Sequence, residues 1–335
     1  MLAERQVAAA ERILQKMSEE KNCKKECFKS KIGGQALIEG VYMRGITTAA
    51  MACRLPNGTI DVEQWAVKNG KDAPWYRKVP FIRGCINFAA SLVEGIRCTM
   101  KSAEKQIDDD DEEEELSKFE QWLTDKFGDK LVNVIMIISV VIAMAFALIV
   151  FKGGPVLIAN LLIKVGLPEA ARPITEGLVR LVLLVGYMYA ISFMGSIKTT
   201  FMYHGAEHKS IACYEAQEEL TVENVRRHTR FHPRCGTSFI LIVLLISIIV
   251  GIFLPRGNMW IRFGVQMLCL IPEASVAYEI IKLAGRYDNI LTRIVSAPGI
   301  WLQHITTKEP TDKQIEVAIA ALTPCLPKEG EEDKW

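Results

Sequence analysis

Four long apolar stretches alternate with polar segments along the chain. Leu131 to Phe151 carries no charged side chain. At about 1.5 Å per helical residue it reaches about 30 Å, the thickness of a bilayer's hydrocarbon core. Ile174 to Met194 is as long, and Glu176 and Arg180 near its start are spaced for an i,i+4 pair. Thr237 to Leu254 is an almost unbroken run of Ile, Leu and Val, and Trp260 to Leu283 carries Arg262, Pro272, Glu273 and Glu279. Between the first two stretches, Gly153-Gly154-Pro155 reads as a helix stop. The apolar Val156 to Val165 after it is too short to cross, which predicts an interfacial or re-entrant helix. The pattern predicts a mainly α, polytopic helical membrane protein with about four transmembrane helices.

The polar segments divide the remainder. Residues 1–30 read as a charged N-terminal extension, and residues 31–107 as a small α+β cytoplasmic part. In that part Asn57-Gly58 turns a β-hairpin between Met51 to Leu55 and Thr59 to Trp65. Pro80 then opens an amphipathic helix, Phe81 to Met100, suited to a membrane surface. Asp108 to Glu115 is an unbroken acidic run, read as part of a solvated linker over 108–130. The membrane domain spans 131–283 with a polar loop at 195–236. A C-terminal cytoplasmic region follows at 284–335, with a last helix, Lys313 to Leu322, capped by Thr311 or Asp312.

Charge sets the expected orientation. All but six of the 40 Lys and Arg residues fall on the side of the termini and the central loop, which places these in the cytoplasm and the protein in the inner membrane. With 39 acids against those 40 bases, no whole-protein attraction to nucleic acid is expected. Nine cysteines with one close pair, Cys23 and Cys27, read as reduced thiols, and the first residues lack the apolar core of a secretory signal.

The chemistry concentrates in the central loop, where four of the five histidines lie. His204 and His208 are one helical turn apart with Glu207 beside them, so two imidazoles share a face with a carboxylate. H-x-x-E-H is the pattern in which two histidines bind zinc and the acid serves as general base. His232-x-x-Cys235, with His228 four residues earlier, adds nitrogen and sulfur donors that zinc also accepts. Glu279, near the cytoplasmic end of the fourth stretch, is a further candidate ligand or a carboxylate orienting a histidine. Glu273 lies deeper, with Arg180 as an available partner. Gly33 to Gly45 holds four glycines around Glu39 and Arg44. It matches no nucleotide-binding loop and reads as backbone packed closely against a site, with Glu39 and Arg44 either ion-paired or facing the histidines.

Together these segments resemble the YqhQ-like family of bacterial membrane proteins. The resemblance rests on Gly33-Gly34-Gln35-Ala36 through Arg44-Gly45, Tyr203 to Lys209, His232-Pro233-Arg234-Cys235-Gly236, Tyr278-Glu279, Gln303, Thr306 to Pro310 and Glu316 to Leu322. It covers roughly Lys31 to Leu322. The family is one of unknown function sometimes described as predicted metal-dependent enzymes. The resemblance implies a divalent metal of the zinc type, His204, His208, His232, Cys235 and Glu279 as ligands, and Glu207, Glu39 and Arg44 as catalytic candidates. His228 and Glu273 stand outside its motifs. The expected activity is a metal-dependent hydrolase acting at the membrane surface on a lipid-linked molecule or a membrane-proximal peptide, with the lipid bilayer, and a second copy or another membrane protein, as partners. The alternative is a non-catalytic scaffold or assembly factor with a structural His/Cys loop.

Overall fold

The computed structural model describes residues 28–67, 75, 79–106, 129–254, 258–287 and 289–327; most of the N-terminal extension and the acidic run lie outside them. The described N-terminal part is a four-stranded antiparallel meander, β1 (Gly33–Leu37), β2 (Gly40–Arg44), β3 (Thr48–Arg54) and β4 (Ile60–Ala66), in that spatial order. The β3–β4 hairpin is the expected one, with Gly58 at φ 84° in its turn. The Gly-rich segment is a second hairpin, turned by Ile38-Glu39 with Glu39 at φ 47°. The central strands β2 and β3 are buried on both faces. Val41, Met43, Ala50 and Ala52 belong to a core with Tyr203, Ala206, Ile315 and Ala318, and Leu37, Tyr42, Met51 and Cys53 pack with Cys98.

The helix α1 (Ile82–Glu104) therefore covers one face of the sheet. The other face is covered by α5 (Gly195–Glu215) and the C-terminal α10 (Asp312–Leu322). The last helix starts where its capping sequence predicts, Thr311 N–H donating to Gln314 Oε1 at 2.8 Å. Between these elements lie α2 (Asp129–Leu148), a π-helical segment (Ile149–Gly153), α3 (Gly154–Lys164), α4 (Arg172–Ile191), the short α6 (Val222–Arg227), α7 (Gly236–Phe253), α8 (Met259–Arg286) and α9 (Ile290–Thr306).

Gly153-Gly154-Pro155 does not stop the first apolar helix, a correction to the sequence reading. Gly153 (φ −72°, ψ −44°) and Gly154 (φ −55°, ψ −50°) are helical, and α2, the π segment and α3 form one rod. Pro155 has no N–H to offer the Phe151 carbonyl. Arg180 Nε from α4 donates to that oxygen at 3.1 Å instead, which supplies the lost bond.

Among the described residues, three helices are long and apolar enough to cross a membrane: Ile138–Lys164, Glu169–Ile191 and Gly236–Phe253. The fourth expected span is helical but is not among them, because α8 places charged side chains along its length. Two of these charges are sequestered with others between the helices. Arg262 pairs with Glu176 through Nε to Oε1 (2.6 Å) and Nη2 to Oε2 (3.0 Å), and Gln266 Nε2 donates to the same Oε2 at 2.8 Å. Lys152, in the π segment, pairs with Glu273 at 3.0 Å and reaches Ser247 at 3.1 Å. Arg180 takes neither carboxylate; its remaining bonds go to Ser247 (2.8 Å) and Gln266 (3.2 Å). The i,i+4 pairing expected of Glu176 with Arg180 yields to a bidentate fork across helices, the geometry a guanidinium and a carboxylate favour.

Candidate metal centre

The helix α5 carries His204, Glu207 and His208 into the junction of the sheet, α9 and the loop 216–235. Gly205 makes that junction possible. A side-chain carbon there would overlap the Lys308 carbonyl, so the 306–310 segment crosses directly on the helix backbone. Lys308 N–H donates to Phe201 O at 2.9 Å, and His204 Nδ1 lies 2.9 Å from Thr306 O. Lys209 holds the same segment through Glu309 at 2.9 Å.

The ligand atoms of His204, His208 and Cys235 lie within 4.8 Å of one another, and His204 Nε2 is 3.1 Å from Cys235 Sγ. Since a carbonyl only accepts, His204 Nδ1 donates to Thr306 O and His208 Nδ1 donates to Arg230 O at 2.6 Å. The Nε2 of each ring is thereby left for a ligand. Such carbonyl-anchored imidazoles are the outer-shell arrangement that orients histidines toward metals. Cys235 is the N-cap of α7, so its sulfur faces the positive end of that helix dipole and the Thr237 hydroxyl at 3.3 Å. Burial pushes the Cys235 thiol up, but His204 and His208 outweigh it and hold the sulfur well below its usual range. Burial likewise pushes His204 down, and the facing Cys235 sulfur more than reverses this and raises it.

Glu207 stands beside the three, 4 % exposed. Burial raises its pKa against the opposing pull of His204 and His208, and the Gly34 backbone N–H bonds to it. Its Oε2 is buried without a hydrogen-bond partner among the described residues. Gly34 is required by this approach, since a Cβ there would sit 2.5 Å from Tyr42 O and 2.9 Å from Glu207 Oε1. At this residue the Gly-rich segment packs closely against Glu207.

His232 is next to His208, ring centroids 5.5 Å apart, but is directed elsewhere. Its backbone is fixed by Gln303 in both directions, at 2.8 and 2.7 Å, and its Nε2 lies 3.0 Å from Arg234 and 3.9 Å from Glu215. Glu279 is committed to Arg83 at the start of α1, Nε to Oε1 2.7 Å, and accepts Phe81 N–H at 3.3 Å. Glu39 accepts from Tyr203 OH at 3.0 Å. Arg44 shares the alternation of Tyr42, whose side chain packs on the α1 side of the sheet. It also lies at the opposite end of β2 from Glu39, so the two do not form the expected pair. His228 leaves the loop cluster for Glu218, 3.2 Å away. The structure therefore gathers His204, Glu207, His208 and Cys235, and commits His232, Glu279, Glu39 and Arg44 to other contacts.

Sequence reasoning passed over Glu215. Burial would push its carboxyl up, but His232 and Arg234 outweigh this and hold it at about 2. Its folded pKa is below the unfolded one, so its contribution is full above about pH 5 and fades as pH falls toward 2. With its side chain 12 % exposed, the shift from 4.5 corresponds to about 3 kcal/mol. Glu215→Gln should therefore destabilise the detergent-solubilised protein by about that amount at pH 7 and by little near pH 2. Unfolding curves across pH test this, and a penalty independent of pH would refute it.

Among the described residues, three long apolar helices, a small antiparallel sheet and a largely buried two-histidine, one-cysteine cluster beside an acid define this protein's class. Residues 79–328 match the family described as "Protein of unknown function (DUF1385)", and the chain belongs to that family. It is 34% identical over 296 residues to the uncharacterized protein YqhQ of Bacillus subtilis (strain 168), covering 88% of this chain and 92% of that relative. No solved structure matches the chain. Every cluster residue lies within the family match, whereas Gly34, Glu39 and Arg44 precede it.

Proposed function

We propose that the protein is a membrane-embedded, metal-dependent enzyme, hydrolytic in type, whose centre is His204, His208 and Cys235 with Glu207 as its acid–base residue. One observation carries the reading: three ligand atoms of zinc-preferred type converge beside a buried carboxylate oxygen that has no partner. Zinc bonds of about 2.0 to 2.3 Å in tetrahedral arrangement put ligand atoms about 3.5 Å apart. The 3.1 Å between His204 and Cys235 and the 4.8 Å limit on the group fit that with small adjustments. Three protein ligands leave a fourth position open, the arrangement of catalytic rather than structural zinc. His232, turned to Glu215 and Arg234, does not close it.

When bound, a zinc-type ion supplies Lewis acidity and lowers the pKa of water at that position. The Thr306 and Arg230 carbonyls keep both imidazoles in the tautomer that presents Nε2. Glu207, buried and raised in pKa, would take at Oε2 the proton released by the attacking water and return it to the leaving group. Gly34 N–H fixes the other end of that carboxylate, and the crossing 306–310 segment shields the site from bulk water.

The three apolar helices support a place in a membrane, and the distribution of Lys and Arg supports the reading that this is the inner membrane with termini and site on the cytoplasmic side. Cys235 caps one of those helices, so a lipid-linked or membrane-proximal substrate fits the position of the centre. Zinc counted per chain in the detergent-purified, metal-loaded full-length protein tests the reading. One equivalent should disappear in His204→Ala and in Cys235→Ala and persist in Glu207→Gln. Wild-type protein that stays folded and takes up no zinc at these residues overturns it.

A further inference from the structure

We propose that Cys213, Glu218 and His228 form a second, independent site for a zinc-type divalent ion. Their ligand atoms lie within 4.8 Å of one another, and His228 Nε2 is 3.2 Å from Glu218 Oε2. The set comprises a thiol sulfur, an imidazole nitrogen and a carboxylate oxygen, a mixture that suits zinc or cobalt better than a hard cation such as magnesium.

Three separate pieces of backbone bring them together. Cys213 sits in the last turn of α5 and is fully buried. Glu218 follows Gln217, whose φ of 59° puts the chain in the left-handed region and folds the turn back on the helix end. His228 is the C-cap of α6, where the backbone leaves the helix. Cys213 Sγ makes a long contact of 3.6 Å to Glu219 O, and His228 and Glu218 hold each other. A metal would exchange both for shorter bonds, the ion taking the sulfur as the thiol proton leaves to water. Glu218, with its side chain 47 % exposed, provides an entry path.

The site also has a structural consequence. His228 lies two residues before Arg230, whose carbonyl fixes His208. An ion bridging the end of α5 to His228 anchors the loop that carries that carbonyl and, further on, Cys235. The second site does not require the first centre to bind metal, so the two are separable by experiment.

The test counts zinc, and separately cobalt, per full-length chain in detergent. Two equivalents are expected in the wild type, one in Cys213→Ser, one in His228→Ala, one in His204→Ala and none in Cys213→Ser combined with His204→Ala. Circular dichroism checks each fold. The exposed Glu218→Gln, which leaves the helices intact, should weaken the second equivalent about a hundredfold. With cobalt, part of the thiolate charge-transfer absorption should be lost in Cys213→Ser. A single equivalent lost only in Cys213→Ser supports this site and overturns the centre at His204. A single equivalent lost only in His204→Ala, two equivalents that both survive Cys213→Ser, or no metal at all, overturns the second site.

Discussion

Glu176→Ala should destabilise the protein by about 3 to 5 kcal/mol, the penalty for removing one partner of a buried ion pair. Arg262 is 1 % exposed, and its only carboxylate among the described residues is Glu176. The truncation would remove the bidentate carboxylate from its guanidinium, whose other bonds include the carbonyls of Gly251 (2.9 Å) and Leu254 (3.4 Å), and would strip Gln266 of its acceptor. An uncompensated charge in a low-dielectric interior is far costlier than the pair itself is stabilising. Glu176→Met with Arg262→Met should therefore recover most of the loss, since a packed apolar pair of similar volume avoids the desolvation cost. Thermal unfolding in detergent measures both. A single-variant loss below about 1 kcal/mol would show that water reaches Arg262, against its burial.

The same pair shows where sequence reading ends. Spacing along one helix identifies which side chains share a face, so His204 and His208 were legible as a pair and Glu207 as their neighbour. It says nothing of what the facing element offers. Glu176 therefore read as the partner of Arg180, four residues on, whereas Arg262 of another helix supplies a better fork. Cys235 was legible because its loop also carried a histidine, yet that histidine, His232, is drawn off by Glu215 and Arg234.

The strands β1 and β2 were hidden for different reasons. β2, covered on both faces, lacks the alternation of polar and apolar positions that marks a strand, and β1 is short and opens on two glycines. Gly153-Gly154-Pro155 misled because its helix-breaking chemistry is real but is answered from outside the helix, by Arg180 at Phe151 O. Backbone acceptors such as Thr306 O and Arg230 O have no side-chain signature, although Thr306 stood within a motif of the resemblance.

His208→Ala should lower zinc affinity at the proposed centre by about a hundredfold, more than loss of any contact around it. Structural zinc sites with four ligands bind with about 10 to 16 kcal/mol, so one ligand represents about 3 kcal/mol. The outer contacts are worth about 10- to 100-fold, and Gly205→Ala probes them without touching a ligand. A methyl group at Gly205 must displace the Lys308 carbonyl and with it the segment whose Thr306 oxygen holds His204 Nδ1. The ring would lose its fixed tautomer while Cys235 and His208 stay in place. Zinc competition against a chelator should therefore rank wild type tightest, Gly205→Ala intermediate and His208→Ala weakest. The overpacking itself should cost about 1 to 3 kcal/mol of stability. Equal zinc affinity in Gly205→Ala and wild type would mean that the carbonyl does not orient His204. Equal affinity in His208→Ala would remove that histidine from the ligand set.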